Sequence, residues 1–344
     1  MKTDIRSLLP EELAAECKNM GLPAYRSGQI FRWLHVEGVA SFAEMTNLSM
    51  QLREKLNDNY EIFHCTIENK QVSLYDSTIK YLFRLNDGEF VESVLMKYKY
   101  GYTLCVSTQV GCRMGCKFCA STLNGVVRSL TASEILAQIF AAQKDSGERV
   151  SHVVMMGMGE PLDNYDNSLR FLRLVSHPQG LNLSMRNISL STCGIVPNIY
   201  RLMDENLQLT LSVSLHAPND SIRSSMMPVN RKWPVDELLK ACRDYTKHTS
   251  RRISFEYSMV RGVNDSEACA RELGAKLKGM LCHVNLIPVN AVDETGCVGS
   301  APKTVQKFAE ILEKYGLPVT VRRTLGADID AACGQLRRKQ QKGE

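Results

Sequence analysis

The stretch that decides the fold is Thr103-Leu104-Cys105-Val106-Ser107, followed by Thr108-Gln109-Val110-Gly111-Cys112-Arg113-Met114-Gly115-Cys116-Lys117-Phe118-Cys119 and then by Ala132-Ser133-Glu134-Ile135-Leu136-Ala137-Gln138-Ile139. A short apolar segment leads into a glycine-flanked loop, and the loop into apolar residues at helical spacing. The same strand, loop and helix order recurs downstream. Candidate strands are Thr103–Ser107, His152–Met156, Asn187–Ser191, Gln208–Leu215, Ile253–Ser258 and Cys282–Ile287. Candidate helices include Ala132–Lys144, Asn167–Val175, Val235–Thr246, Glu267–Leu277 and Lys303–Tyr315. Repeated units of this kind imply a parallel sheet. Six units fall short of the eight that close a barrel, so the expected fold class is α/β, a partial (β/α)6 barrel. In such barrels the chemistry sits in the loops after the C-terminal ends of strands. Every unusual motif of this chain falls in or beside such a loop.

Upstream, residues 1–62 read as short amphipathic helices, with a break at Gly21-Leu22-Pro23 and apolar spacing through Ile30-Phe31-Arg32-Trp33-Leu34. Tyr81-Leu82-Phe83-Arg84 alternates, and Asn86-Asp87-Gly88 is a hairpin turn, so an antiparallel β segment precedes the barrel. The expected divisions are an N-terminal helical accessory domain over 1–62, a β extension over 63–97, a barrel core over 98–328 and a C-terminal loop and tail over 329–344. The 344 residues, 44% apolar and 23% charged, describe an ordinary globular chain and exclude collagen-like, mucin-like and mostly disordered ones. The first residues lack a signal-peptide core, and no run reaches the ~18 apolar residues of a membrane span. A cytoplasmic location is therefore expected. Residues 1–65 carry 7 basic against 9 acidic side chains, whereas the remainder carries 35 against 28. A mildly basic body permits a polyanionic partner.

Twelve cysteines in a chain without an export signal point to metal or redox chemistry before structural disulfides. Only Cys112, Cys116 and Cys119 cluster, and C-x3-C-x2-C supplies three thiolates from one loop. Three ligands leave one iron of a [4Fe–4S] cluster without a protein ligand, and that iron can hold a small molecule. Zinc is the alternative, but no matching second ligand pair follows downstream.

The remaining motifs each have a plain reading when taken singly. Met156-Gly157-Met158-Gly159-Glu160-Pro161 is a glycine-rich turn with a carboxylate. Ser191, Ser214, His216 and Asn290 are strand-end hydrogen bonders, Cys105 is a small buried strand residue, and Cys333 is a tail cysteine. Glu92 reads as a solvated strand residue. Tyr98, Tyr100 and Tyr102 are candidates for stacking on a splayed base, with core packing as the alternative. Arg322-Arg323 and Arg337-Arg338-Lys339 are either a soluble tail or phosphate contacts.

A three-cysteine loop after the first strand of a partial β/α barrel resembles the radical S-adenosylmethionine (SAM) enzymes. More narrowly, the chain resembles the RlmN/Cfr family of ribosomal and transfer RNA adenine methyltransferases. The likeness runs from Tyr25-Arg26-Ser27-Gly28-Gln29-Ile30, through Cys105-Val106-Ser107-Thr108-Gln109-Val110-Gly111-Cys112, to Asp328-Ile329-Asp330-Ala331-Ala332-Cys333-Gly334-Gln335-Leu336. It implies a [4Fe–4S] cluster on Cys112, Cys116 and Cys119. It implies SAM contacts at Gly159, Glu160, Ser191, Ser214, Leu215, His216 and Asn290, with two SAM molecules consumed per turnover. It further implies that Cys333 is the methyl carrier, that Cys105 forms a transient disulfide with it, and that Glu92 accepts a proton. The implied partners are 23S rRNA and tRNA, with RNA binding by the N-terminal domain, and an electron donor such as flavodoxin or ferredoxin, with no membrane and a monomeric chain.

The chemistry accounts for a need for two cysteines. Adenine C2 is electron-poor, so polar methyl transfer is blocked and a radical carbon must add instead. The adduct is then tied to the carrier sulfur until a second thiolate attacks it. Methylation at C2 is the expected activity. Methylation at C8 is one alternative, and a non-methylating iron–sulfur RNA-binding or redox protein is the other. The second alternative leaves Cys105, Cys333 and the SAM-contact motifs without a purpose.

Overall fold

A computed structural model describes residues 2–288, 298–322, 325, 326, 328 and 329. Strand β1 (Thr3–Asp4) precedes helices α1 (Pro10–Asn19), α2 (Tyr25–Arg32) and α3 (Met50–Asn59), and β2 (Tyr60–Glu61) pairs in parallel with β1. Pro10 opens α1, and the Glu12 carboxylate accepts from the Leu9 backbone N–H at 2.8 Å, which satisfies one of the donors left over at a helix start. Leu13, Ile30, Phe31, Leu34, Leu52 and Leu56 bury one continuous core with the rest of the chain. Arg6 is buried at this junction, donating to the carbonyls of Phe63 (2.8 Å) and Val39, with its guanidinium over the Phe140 ring.

Strands β3 (Thr66–Val72), β4 (Ile79–Arg84) and β5 (Phe90–Tyr98) form an antiparallel ladder that continues onto β6 (Gly101–Cys105). Then come the small hairpin β7 (Gln109–Gly111) and β8 (Val126–Ser129), α4 (Ala132–Ser146), β9 (Val150–Met155), α5 (Tyr165–Val175), β10 (Ile188–Thr192) and α6 (Val196–Asp204). They are followed by β11 (Thr210–Ser214), α7 (Asp220–Met226), α8 (Val235–Thr249), β12 (Ile253–Met259), α9 (Glu267–Leu277), β13 (Cys282–Pro288), α10 (Pro302–Lys314) and β14 (Val319–Val321). One ten-stranded sheet carries them in the order β14-β13-β12-β11-β10-β9-β6-β5-β4-β3. Within this sheet every pairing from β6 across to β14 is parallel, while the antiparallel β7–β8 hairpin stands outside it. The sheet does not close, because β14 and β3 are its edges. The expected partial barrel is therefore present, with β14 and α6 as additions that the sequence reading did not name.

The two faces of this sheet differ in chemistry. Leu190, Leu211, Val213, Phe255, Tyr257 and Val284 are buried in the main core. Each such side chain contributes about 1.5–3 kcal/mol, so this face drives the fold. The alternate residues are Ser189, Ser191, Ser212, Ser214, Ser254, Glu256, Ser258 and Asn285, and a period of two puts them on the opposite face. Parallel strands covered on both sides are usually apolar throughout. A row of serines on one face marks a barrel lumen made to hold a polar ligand.

Candidate active site

The cysteine loop is held at both ends by the β7–β8 hairpin. Gly111 has φ +78°, and a Cβ there would lie 2.0 Å from the Gly125 carbonyl oxygen. The neighbouring Cys112 N–H donates to that same oxygen at 2.9 Å, which closes the loop. Inside it the Cys119 N–H donates to Cys116 O (3.1 Å), and the Thr122 hydroxyl to Cys119 O (3.0 Å). The Lys117 N–H reaches Met226 O at 2.9 Å, pinning the loop to the end of α7.

Cys112, Cys116 and Cys119 line one cavity of about 230 Å³ together with Gly159, Glu160, Ser191, Ser214 and His216. Burial pushes the Cys112 thiol up to about 12, and burial with the two neighbouring cysteines raises Cys116 further. Thiols in that state need a metal to become thiolates. Among the described residues no three His, Cys, Asp or Glu side chains are placed to share one metal ion. A polynuclear cluster instead takes one thiolate at each of several irons, so three thiols spaced around a hollow fit it. The polar lumen beside them fits SAM.

The glycine-rich turn after β9 packs directly against β7. Gly159 has φ +99°, and a Cβ there would lie 2.7 Å from the Gln109 backbone nitrogen, so only glycine fits. The Glu160 N–H donates to Gln109 Oε1 (2.9 Å), and its buried carboxylate accepts from Leu162 N–H (3.0 Å) and Cys193 N–H (2.7 Å). Burial raises its pKa while these bonds oppose the rise. Gln109 also donates to Asp163 (2.8 Å), which pairs with Arg113 (2.9 Å), so the turn and the cysteine loop are braced together.

His216 has φ +56°, and its Nδ1 accepts from the Ser258 N–H at 2.9 Å. Burial, and then Arg223, hold its pKa down to about 3, so the ring is neutral with its proton on Nε2. Phe118 of the cysteine loop meets this ring edge-on at 4.8 Å. The Leu215 side chain is in the core, so that residue offers the site only its backbone. Arg223, fully buried, donates to the carbonyls of Cys193 (2.6 Å), Ser214 (3.1 Å) and Leu215 (3.1 Å), stitching two strand-end loops together.

Cys105 lies on the lumen side in a small cluster with Val94 and Met96, against which Met156 and Leu325 pack. Met156 also lines the cysteine cavity, so it connects the two places. Glu92 is on β5 and does not line that cavity. The reading of Glu92 as solvated is overturned: its side chain is 1% exposed and ion-paired with Lys80. The tyrosines expected near the cluster are elsewhere. Tyr98 is opposite Gly101 and Tyr102 opposite Lys97, at the far end of the β5–β6 ladder from Cys105; Tyr100 sits in the turn joining those strands, and the Tyr102 hydroxyl donates to Glu148. Arg322 is not a tail cation but lines the cavity, and its N–H donates to Leu286 O at 2.8 Å. Glu256, Arg223 and Lys80 went unnamed in the sequence, and Cys193, given no function there, lines the cavity. The serine alternation in Ile253-Ser254-Phe255-Glu256-Tyr257-Ser258 carried the signal for Glu256. Asn290 and Cys333 lie outside the described residues.

An open parallel barrel with three cysteines on the loop after its first strand defines a class, the radical SAM enzymes. Residues 106–272 match the Radical SAM superfamily, and residues 3–62 match the ribosomal RNA large subunit methyltransferase N-terminal domain. The chain is 53% identical to the probable dual-specificity RNA methyltransferase RlmN of Desulforamulus reducens, over 98% of this chain and 97% of that one. It is also 53% identical to the protein of the same name from Lachnospira eligens, over 98% and 96%. The crystal structure of a radical SAM methyltransferase from Sphaerobacter thermophilus superposes with a TM-score of 0.92 at 43% identity, covering 97% of this chain and 98% of that one. The chain belongs to the RlmN family of SAM-dependent radical RNA methyltransferases, which work with a [4Fe–4S] cluster. No helix among the described residues is long and apolar enough to cross a membrane.

Proposed function

We propose that this enzyme methylates C2 of an adenosine in the peptidyl transferase centre of 23S rRNA and of the adenosine 3′ of the anticodon in tRNA. The observation that carries this reading is the lumen face of β5 and β6, which pairs a cysteine outside the cluster loop with a buried carboxylate. Val94 is opposite Cys105, and Glu92, two residues before Val94, is on the same face. Leu325, eight residues before Cys333, packs on the same cluster as Cys105. A simple electron carrier or RNA-binding protein has no use for these parts.

Cys112, Cys116 and Cys119 hold the cluster; Gly159, Glu160, Ser191, Ser214, Leu215, His216 and Asn290 hold SAM. When bound, the two together supply a 5′-deoxyadenosyl radical upon reduction. Cys333 carries a methyl group on sulfur, which bonds to adenine C2 after losing a hydrogen atom. Glu92 takes the C2 proton. The adduct's unpaired electron would return to the cluster. The Cys105 thiolate then attacks the Cys333 sulfur, the sulfur–methylene bond breaks, and its electron pair takes up a proton to complete the methyl group. The RNA is thereby freed, and the disulfide left behind is reduced by two electrons from the donor. Residues 1–62 serve RNA binding, 63–97 extend the sheet, 98–328 form the core, and 329–344 bring the carrier. The RNA substrates put the enzyme in the cytoplasm, where a flavodoxin or ferredoxin delivers electrons to a monomer.

Mass spectrometry of nucleosides from rRNA and tRNA, after incubation with reconstituted enzyme, SAM and reductant, tests the reading. It predicts 2-methyladenosine in both RNAs. 8-Methyladenosine would move the enzyme to the C8 branch, and no methylated adenosine would refute the activity.

A further inference from the structure

One ion pair stands apart from all the others among the described residues. Lys80 Nζ lies 2.9 Å from Glu92 Oε2, with the two side chains 0% and 1% exposed. Every other pair leaves at least one partner open to solvent. Replacing a buried pair with well-packed apolar groups is commonly neutral or stabilising, so stability alone gives such a pair little reason to exist.

Its place in the sheet supplies a reason. Lys80 is opposite Val94, and Val94 is opposite Cys105, so Lys80 and Cys105 flank one rung on the lumen face. Glu92 occupies the next rung, and the Ser107 hydroxyl donates to its backbone carbonyl at 2.6 Å. That rung is at the strand end leading into the cysteine loop. A carboxylate buried there without a partner would be an uncompensated charge with nothing to hold its side chain in place.

We propose that Lys80 is a positioning residue for the methyl transfer, pairing with the Glu92 carboxylate and fixing it on the lumen face. This rests on the reading of Glu92 as the proton acceptor. Lys80 touches neither RNA nor SAM in this account and acts only through Glu92.

The test uses Lys80→Met, Lys80→Arg, Glu92→Gln and the double variant Lys80→Met/Glu92→Gln, each as iron-loaded full-length enzyme with SAM, reductant and an unmodified tRNA transcript. Three quantities are read: the methyl group on the Cys333 peptide, the kcat for methyladenosine, and the KM for tRNA. Lys80→Met and Glu92→Gln should both keep Cys333 methylated and KM within about two-fold, while kcat falls about 100-fold or more. Lys80→Arg, which keeps the charge, should recover at least about a tenth of the wild-type rate. The double variant should be no slower than Glu92→Gln alone, because Lys80 has no other route to the reaction. A double variant clearly slower than Glu92→Gln, or a Lys80→Met protein that also loses Cys333 methylation, would make the pair structural and overturn the proposal. An inactive Glu92→Gln beside a fully active Lys80→Met overturns the Lys80 assignment alone. A fully active Glu92→Gln overturns the reading of Glu92 and this inference with it.

Discussion

The Ser73 hydroxyl donates a 2.6 Å hydrogen bond to Asp328 Oδ1, joining the turn between β3 and β4 to the chain just ahead of Cys333. The Leu74 N–H donates to the other oxygen of Asp328 at 2.8 Å, and the Gly326 N–H donates to Asp76 at 2.7 Å. Hydrogen bonding to Ser73 and Leu74 holds the Asp328 carboxyl below the ordinary carboxylate range. This turn is at the end of β4 remote from the cysteine loop, so the segment leading to Cys333 is anchored at the opposite end of the sheet from that loop. Ser73→Ala/Asp328→Ala should keep its fold and iron. Amide exchange at Leu74 and Gly326 should quicken, and methyladenosine formation should fall about tenfold, as expected when a reacting group loses its placement. Unchanged exchange and rate would mean that the tether is incidental.

The cluster assignment makes a direct prediction about metal. Anaerobically purified enzyme should hold about four irons per chain and be brown. The Cys112→Ala/Cys116→Ala/Cys119→Ala variant should be colourless, with iron near background by elemental analysis. Iron retained in full by that variant would place the metal elsewhere.

Arg223 should matter to the fold as much as to the site. Its guanidinium also donates to Asn230 Oδ1 at 3.0 Å, besides the three strand-end carbonyls. Arg223→Met leaves those acceptors buried and unpaired, each costing about 1–3 kcal/mol. Urea denaturation should show a loss of at least about 3 kcal/mol. A loss below about 1 kcal/mol would mean that water replaces these bonds easily.

His35 gives a pH signature. It is buried, stacked on Phe31 at 4.2 Å, and neither ring nitrogen has a hydrogen-bond partner among the described residues. Burial first, then Arg6 and His177, hold its pKa down to about 3. An unfolded histidine titrates near 6.5, so between these values the unfolded chain binds more protons and stability rises with pH. The contribution is complete above about 6.5 and is lost as the pH falls towards 3. His35→Phe should flatten the stability profile between pH 4.5 and 6 by about 1.4 kcal/mol per pH unit. A slope unchanged from wild type would show that His35 takes up its proton without unfolding.

The barrel was legible because its strands are short and apolar and its helices amphipathic, and the named strands match β6 and β9 to β13 closely. β14 was missed because Val319-Thr320-Val321 is too brief to show a period. The cysteine loop and the glycine-rich turn were legible because thiol spacing and glycine placement are local. Lys80 and Arg223 were not, since each acquires its meaning from partners that only strand pairing and loop packing bring beside it. Glu92 shows the limit well. Its alternating context resembles an exposed strand, and only the pairing of β4 with β5 sets Lys80 beside it.

The central claim is that Cys105 resolves a covalent intermediate between Cys333 and RNA. A denaturing gel of Cys105→Ala incubated with labelled tRNA, SAM and reductant tests it most directly. The variant should accumulate a protein-linked RNA band that vanishes in Cys333→Ala and in the double variant, because without a methyl on Cys333 no adduct begins. If Cys105 only packs in the barrel, its loss would cost some stability and turnover without any linked band. Absence of that band from a folded Cys105→Ala enzyme with its iron intact would contradict the account.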